Sequence, residues 1–349
     1  MQYLIQVLHS GLRLIDLVAK AEIKSRASRH RASANVKSAA ENSGAALASQ
    51  PVTRPAEMIR FDDIGNRLKA FRLGSGLSAE KVANRMGISR TALYRLERGE
   101  MSRIDTIAKA AELLNVSLAT LLGVGVEYIS SAIAYFERVR QFEETSDHVI
   151  FLAGPLPYLL SSPAFDEKLI EVLSESIPDD STDRARALEQ IRQLAVVLRG
   201  RKEAYQRRPL SMANLISAYE IENFLRNGFV GRLDLPESLQ IKRRTLARTE
   251  MAHFAGVVEQ ERIGVQIGIV RDTLPHTGFQ IFRQPDRHVL MISPFRLGEQ
   301  PNVRTGVAMV TSAPEPLALH QQTAEEMWKR ALKGPAAAKF LREVMKRYN

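Results

Sequence analysis

Between Ile64 and Val124 the apolar positions recur at helical spacing: Ile64, Leu68 and Phe71; Val82 and Met86; Leu93 and Leu96; Ile104, Ile107 and Leu114. Steps of three and four residues place each set on one helix face, so the segment predicts five short helices around one small core. Ser78 and Ser89 each stand just before an apolar-periodic run, where a hydroxyl N-cap is wanted. Ala83 leaves room for a close helix crossing, and Gly87 can take the positive φ that ends one helix before the next begins. The following helix covers about Arg90 to Arg98. On it Ala92, Leu93 and Leu96 face inward, while Arg90, Thr91, Tyr94, Arg95 and Arg98 share the opposite face with no acid among them.

The pattern changes after Val126. Residues 127–144 predict a helix, 148–154 a short strand, and 163–176 another helix. A long amphipathic helix over 183–208 follows a break at Pro178. ANLISA (213–218) predicts a buried strand leading into a short helix that ends near Gly228, and a second long helix covers 236–260. Four apolar runs, 263–270, 279–284, 288–295 and 304–312, are separated by Pro, Gly, Asp and Asn, as strands joined by turns should be. Helices over 316–333 and up to 347 close the chain. A C-terminal mixed α/β (α+β) domain over 127–349 is therefore expected. Residues 1–57 hold one candidate amphipathic helix and then a stretch rich in Ser, Ala and Arg. They predict a flexible basic extension, either an arm along a nucleic-acid backbone or a plain tail upstream of a start at Met58.

Charge sharpens this division. The chain carries a formal net charge of +10, with eight Lys/Arg against four acids in residues 1–57 and eleven against seven in 58–126. The remaining 223 residues hold thirty against twenty-eight. A positive first third beside a nearly neutral remainder points to a polyanion for one part and another partner for the other. With no cysteine in 349 residues, disulfides, thiolate metal sites and cysteine nucleophiles are excluded. No apolar run approaches the roughly 18–20 residues of a membrane span, and Arg13, Asp16 and Lys20 interrupt any signal-peptide core, so a cytoplasmic protein without membrane contact is expected.

The 64–124 segment resembles the lambda-repressor-like (Cro-type, also called XRE) helix-turn-helix family. Helix spacing, the turn at Gly87, the serine caps and the tail LERGE (Leu96–Glu100) carry the resemblance together. It implies an N-terminal all-α, five-helix DNA-binding domain over 58–126, whose second motif helix enters the major groove. By that resemblance Arg90, Thr91, Tyr94 and Arg95 align with base-contacting positions, and arginine bridging guanine O6 and N7 suggests a guanine in each half-site. Arg67, Lys69, Ser78, Lys81 and Arg98 become phosphate contacts, which set register but not sequence. Arg72 and Glu97 align with a buried ion pair, against the plainer reading of Glu97 as a solvated helix-end acid. One departure is Ala79, where family members often carry a phosphate-gripping glutamine. A repressor-like regulator of double-stranded DNA, acting as a homodimer on an inverted repeat, is the expected function.

The C-terminal domain offers little chemistry to the eye. The seven histidines are scattered without HxH or HExxH spacing, and no GxGxxG or Walker loop is present, so no metal, cofactor or enzymatic activity is expected. A sensing or dimerisation role, with a small-molecule effector, is the favoured expectation. The alternative is an enzyme or toxin-like effector whose helix-turn-helix only targets or autoregulates it. Two basic clusters stand out: Arg199, Arg201, Lys202, Arg207 and Arg208, and Lys242, Arg243, Arg244 and Arg248. They form an anion-binding cleft if their helices pack antiparallel, or else two solvated faces.

Overall fold

The computed structural model describes residues 61–100, 103–152, 154–272 and 277–348; the basic extension expected over 1–57 lies outside them. Five helical stretches come first: α1 (Phe61–Ser75), α2 (Ala79–Met86), α3 (Arg90–Glu97), α4 (Ile104–Leu113) and α5 (Leu118–Leu122). Serines start three of them. Ser78, Ser89 and Ser117 accept from the backbone N–H groups of Lys81, Ala92 and Thr120 at 3.2, 3.1 and 2.9 Å. Each satisfies one donor that a helix start leaves unpaired. Helix α2 ends on Gly87 at φ +71°, with Ile88 N donating to Ala83 O and Gly87 N to Asn84 O, a Schellman closure that needs the left-handed residue. Ile64, Leu68, Val82, Leu93 and Leu121 meet beneath these helices, all buried.

The chain then lays down β1 (Glu127–Ile129), α6 (Ala132–Thr145), β2 (His148–Leu152), α7 (Pro163–Glu175), α8 (Arg184–Arg207), β3 (Ser211–Ser217), α9 (Ala218–Asn227), α10 (Glu237–Glu259), β4 (Val265–Val270), β5 (Gly278–Arg283), β6 (His288–Ser293), β7 (Ala308–Thr311), α11 (Pro314–Arg330), β8 (Leu332–Lys333) and α12 (Gly334–Arg347). The strands make one mixed sheet in the order β1-β7-β6-β5-β2-β3-β4-β8. Its centre, β2-β3-β4, is parallel, and β5 and β8 flank that trio antiparallel. Both faces are covered. Val149, Met212, Ile216, Phe282 and Met291 point to the larger core, and the alternate residues Ile150, Ala213, Leu215, Ile281 and Leu290 point to a smaller one under α11. Double coverage explains why the central strands read as continuous apolar runs rather than alternation.

One expectation is corrected here. Residues 127–129 are not the start of a helix: Glu127, Tyr128 and Ile129 pair antiparallel with Val310, Met309 and Ala308, and the helix starts only after Ser131, whose hydroxyl caps it. The described residues on both sides of Val126 fall in one compact unit. Glu127 is 3% exposed and accepts from Arg67 Nε of α1 at 3.0 Å, and from Arg138 Nε and Nη2 of α6 at 2.9 and 3.0 Å. Gln141 of α6 donates to Asn66 O, and Asp63 on α1 pairs with Arg287 of the β5–β6 hairpin at 2.5 Å. The helical region is thereby locked to the sheet by buried charge.

Burial alone would push the Glu127 carboxyl up, yet Arg138 and Arg67 overcome it and hold it below the ordinary glutamate value of 4.5. The sign follows directly. Its contribution to stability is fully present above that ordinary value and lost as pH falls through the depressed one. Glu127→Gln, by leaving two guanidiniums uncompensated in the interior, should cost about 3–5 kcal/mol. A calorimetric melt of the full chain should show a lower midpoint for the variant and a single transition in the wild type. Two separate wild-type transitions would mean that the helical region and the sheet are not coupled.

Candidate nucleic-acid interface

Helices α2 and α3 meet across the Gly87 turn, and α3 is held from beneath by Leu93, which is fully buried. A second anchor is ionic. Arg72 Nε of α1 donates to Glu97 Oε1 at 2.5 Å and Arg72 Nη2 to Glu97 Oε2 at 3.1 Å, with both residues 7% exposed. The bidentate fork ties the end of α3 to α1 and fixes rotation about its axis. Glu97 is thus an interior group, not a solvated helix-end acid.

With the inner side fixed, the outer side of α3 presents Arg90, Thr91 and Arg95 exposed, and Tyr94 half-buried at the core's edge. The Arg90 guanidinium sits 5.4 Å from the Tyr94 ring centre, and its Nε and Nη2 donate to the Tyr94 hydroxyl at 3.2 and 3.1 Å. The four base-contact candidates therefore share one exposed face. Ser78 and Lys81 stand exposed at the start of α2. Ala79, in contrast, is buried, so the departure from the family pattern places a small core residue there.

One of the expected phosphate contacts lies in the interior. Arg67 is 9% exposed and spent on Glu127, which withdraws it from the surface. Lys69 keeps a partly exposed side chain, its Nζ 3.3 Å from Glu137 Oε1 of α6. Periodicity counted only the apolar residues of α1 and left Arg67 on the surface.

The opposite omission concerns Glu100. The α3 face holds no acid of its own, but Gly99 at φ +83° folds the tail back, with Glu100 N donating to Arg95 O and Gly99 N to Leu96 O. Glu100 then accepts from Arg95 Nε at 2.5 Å and from Arg98 Nη2 at 3.3 Å. The Arg95 hydrogen bond, with Arg98 adding to it, holds this exposed carboxyl below the usual range. LERGE is thus a helix cap that also supplies a counterion. A glycine after the last helical turn, followed by an acid, was the legible signal.

Four cations of the two basic clusters are taken up by acidic partners. Arg201 is buried and bidentate to Glu143, Lys202 binds Asp166, Arg208 binds Asp147, and Arg243 binds Glu171 and Glu175. Helix α7 packs against both α8 and α10. Among the described residues no group of His, Asp or Glu is placed to hold a metal, and no helix is long and apolar enough to cross a membrane.

Two outcomes test this geometry. Glu97→Gln or Arg72→Met should each destabilise the protein by about 3–5 kcal/mol in a thermal melt, while the double change should be nearly neutral. Glu100→Gln should free Arg95 and Arg98, raise affinity for random duplex at low salt, and steepen the fall of log affinity with log salt. An unchanged salt slope would show that Glu100 leaves these arginines without effect on binding.

No curated protein matches the chain. A helix-turn-helix family model matches residues 68–121, from within α1 to near the end of α5, and so includes the Gly87 turn, the Arg72–Glu97 pair and all of α3. Over this segment only, the chain matches a helix-turn-helix of the Cro/C1, XRE-like type.

Proposed function

We propose that the protein is a sequence-specific transcriptional regulator that binds an inverted-repeat operator in duplex DNA as a homodimer, repressor-like and cytoplasmic. The five helices α1–α5 act as the reader, and the sheet domain supplies sensing and oligomerisation. One observation carries the reading: α3 offers Arg90, Thr91, Tyr94 and Arg95 on one outward face, with its inner side locked by Leu93 and the Arg72–Glu97 fork. Rigid presentation of bidentate donors is what major-groove readout requires. A single reader of this size contacts little DNA, and two on a twofold axis reach useful affinity.

Sensing is supported by a cleft of about 880 Å³ in the sheet domain, lined by aromatic side chains such as Tyr135, Phe151 and Tyr158 and by the amides of Asn214 and Gln280. The dimer contact is proposed for the sheet domain, though not for the apolar stripes of its two long helices. Those stripes are buried in the larger core through residues such as Ile191, Leu198, Met251 and Phe254.

Selection from random duplex should enrich two half-sites whose centres lie about one DNA turn, or a multiple of it, apart. Enrichment of a lone half-site, or of nothing, would end this reading. Arg90→Ala or Arg95→Ala should relax base choice at one position and weaken the selected site about ten- to a hundredfold. Lys81→Ala should weaken all sequences alike and flatten the salt slope by about one.

A further inference from the structure

The cleft lies at the carboxyl ends of the parallel strands β2, β3 and β4, the edge where open α/β sheets take ligands. Its floor is a row across three strands, since Phe151 pairs in register with Asn214 on one side and Gln280 on the other. Tyr135 and Phe136 of α6 form one wall. The volume falls within the range of about 300–1,000 Å³ typical of small-molecule sites.

The floor amides have an unusual balance. Asn214 is 1% exposed; its Nδ2 donates to Gln266 O at 3.3 Å, and its Oδ1 has no partner. Gln280 Nε2 donates to the Tyr135 hydroxyl at 2.9 Å, and its Oε1 likewise has no partner. Both amides have used a donor and kept a carbonyl oxygen out of water, an arrangement with a desolvation cost that an incoming N–H or O–H would relieve. Charge beside the floor is cancelled, whereas the lining elsewhere carries Glu220, Arg271, Asp272 and Arg296. Arg201, whose guanidinium carbon lies 5.5 and 5.4 Å from the Phe136 and Tyr158 ring centres, is fully engaged with Glu143. Burial pushes the Tyr135 phenol up to about 12, so it stays neutral at physiological pH. An ion seated on the floor would shed its water with no unpaired opposite charge beside it.

We propose that this cleft binds an uncharged, flat aromatic molecule bearing N–H or O–H donors, stacked among the aromatic side chains and donating to Asn214 Oδ1 and Gln280 Oε1, and that its occupancy alters DNA binding. The second half rests on the regulator reading above. Its route is short. Tyr135 lines the cleft on α6; the same helix carries Arg138, which meets Glu127 of β1, itself bound by Arg67 of α1, and Gln141, which meets Asn66 of α1; and α1 carries Arg72, which holds α3 through Glu97. A shift of α6 on ligand entry therefore acts on the helix that orients the reading face.

Thermal melts of the full chain would test the site with three matched sets built on naphthalene cores, which carry no donor of their own: primary carboxamides, their N,N-dimethyl amides, and the parent carboxylates. The primary amides should raise the melting temperature, and both other sets should bind at least tenfold more weakly. Asn214→Leu and Gln280→Leu are each expected to erase the preference for the primary amide; two variants guard against one that does not fold. Failure of every primary amide to shift the melt, equal binding of the dimethyl amides, or a preference retained in both variants would overturn the site. The coupling is read separately, as a change of at least threefold in affinity for the selected duplex when the amide is bound; no change would overturn the coupling. Absence of duplex binding by the ligand-free chain would instead sink the regulator reading, with the melts still deciding the cleft.

Discussion

A carboxylate enclosed between two guanidiniums organises this molecule. Glu127 has one oxygen shared by Arg67 and Arg138 and the other held by Arg138 alone, all out of solvent. Such a cluster is unfavourable when incomplete, because any member left alone is a bare charge in a poor solvent. Strand β1, helix α6 and helix α1 must therefore assemble together or not at all. Apolar contact between α1 and α6 supplies adhesion, but the charges set register, since sliding by one turn would separate donors from acceptors. The orientation of the reader relative to the sheet follows from that constraint.

Much of the fold was legible because its cues are local. Serine before an apolar run marked α2 and α3, glycine four residues after alanine marked the turn, and apolar runs bounded by Pro, Gly, Asp and Asn marked β4 to β7. The outward grouping of Arg90, Thr91, Tyr94 and Arg95 on α3 was legible for the same reason, as they lie within six residues of one another. What escaped depends on distant partners. Arg67 looks like a surface cation until Glu127, sixty residues later, closes on it. Arg201 belongs to a basic run until Glu143, fifty-eight residues earlier, buries it. A three-residue strand such as β1 has too few positions to show a period, and its partner β7 lies far along the chain. The floor of the cleft was hidden likewise, because Phe151, Asn214 and Gln280 meet only through sheet register.

Net charge, read as pointing to a polyanion, overstates the free positive charge of the helical region. Of the cations in the helical region, Arg67 and Arg72 are internal, and Arg95 and Arg98 already have Glu100. The field that a duplex meets at long range is thus weaker than the formal count suggests. Close contact differs, because a phosphate or a base edge can replace Glu100 as the acceptor for Arg95. Such an exchange favours specific engagement over diffuse attraction, and it places a competitor for DNA within the protein itself.

The fused seam between α1 and α6 has a consequence for modularity. Helix-turn-helix units are commonly pictured as interchangeable heads on separate bodies, but here the portable piece cannot stop at Val126. A chimera that keeps this reader's native support has to carry Phe61 through Thr145, with β1 and α6 included, and an arginine equivalent to Arg287 opposite Asp63. Since β1 is also the edge strand next to β7, the recipient body needs an open sheet edge to receive it. New DNA specificities are therefore reached more readily by changing side chains on α3 than by exchanging the head.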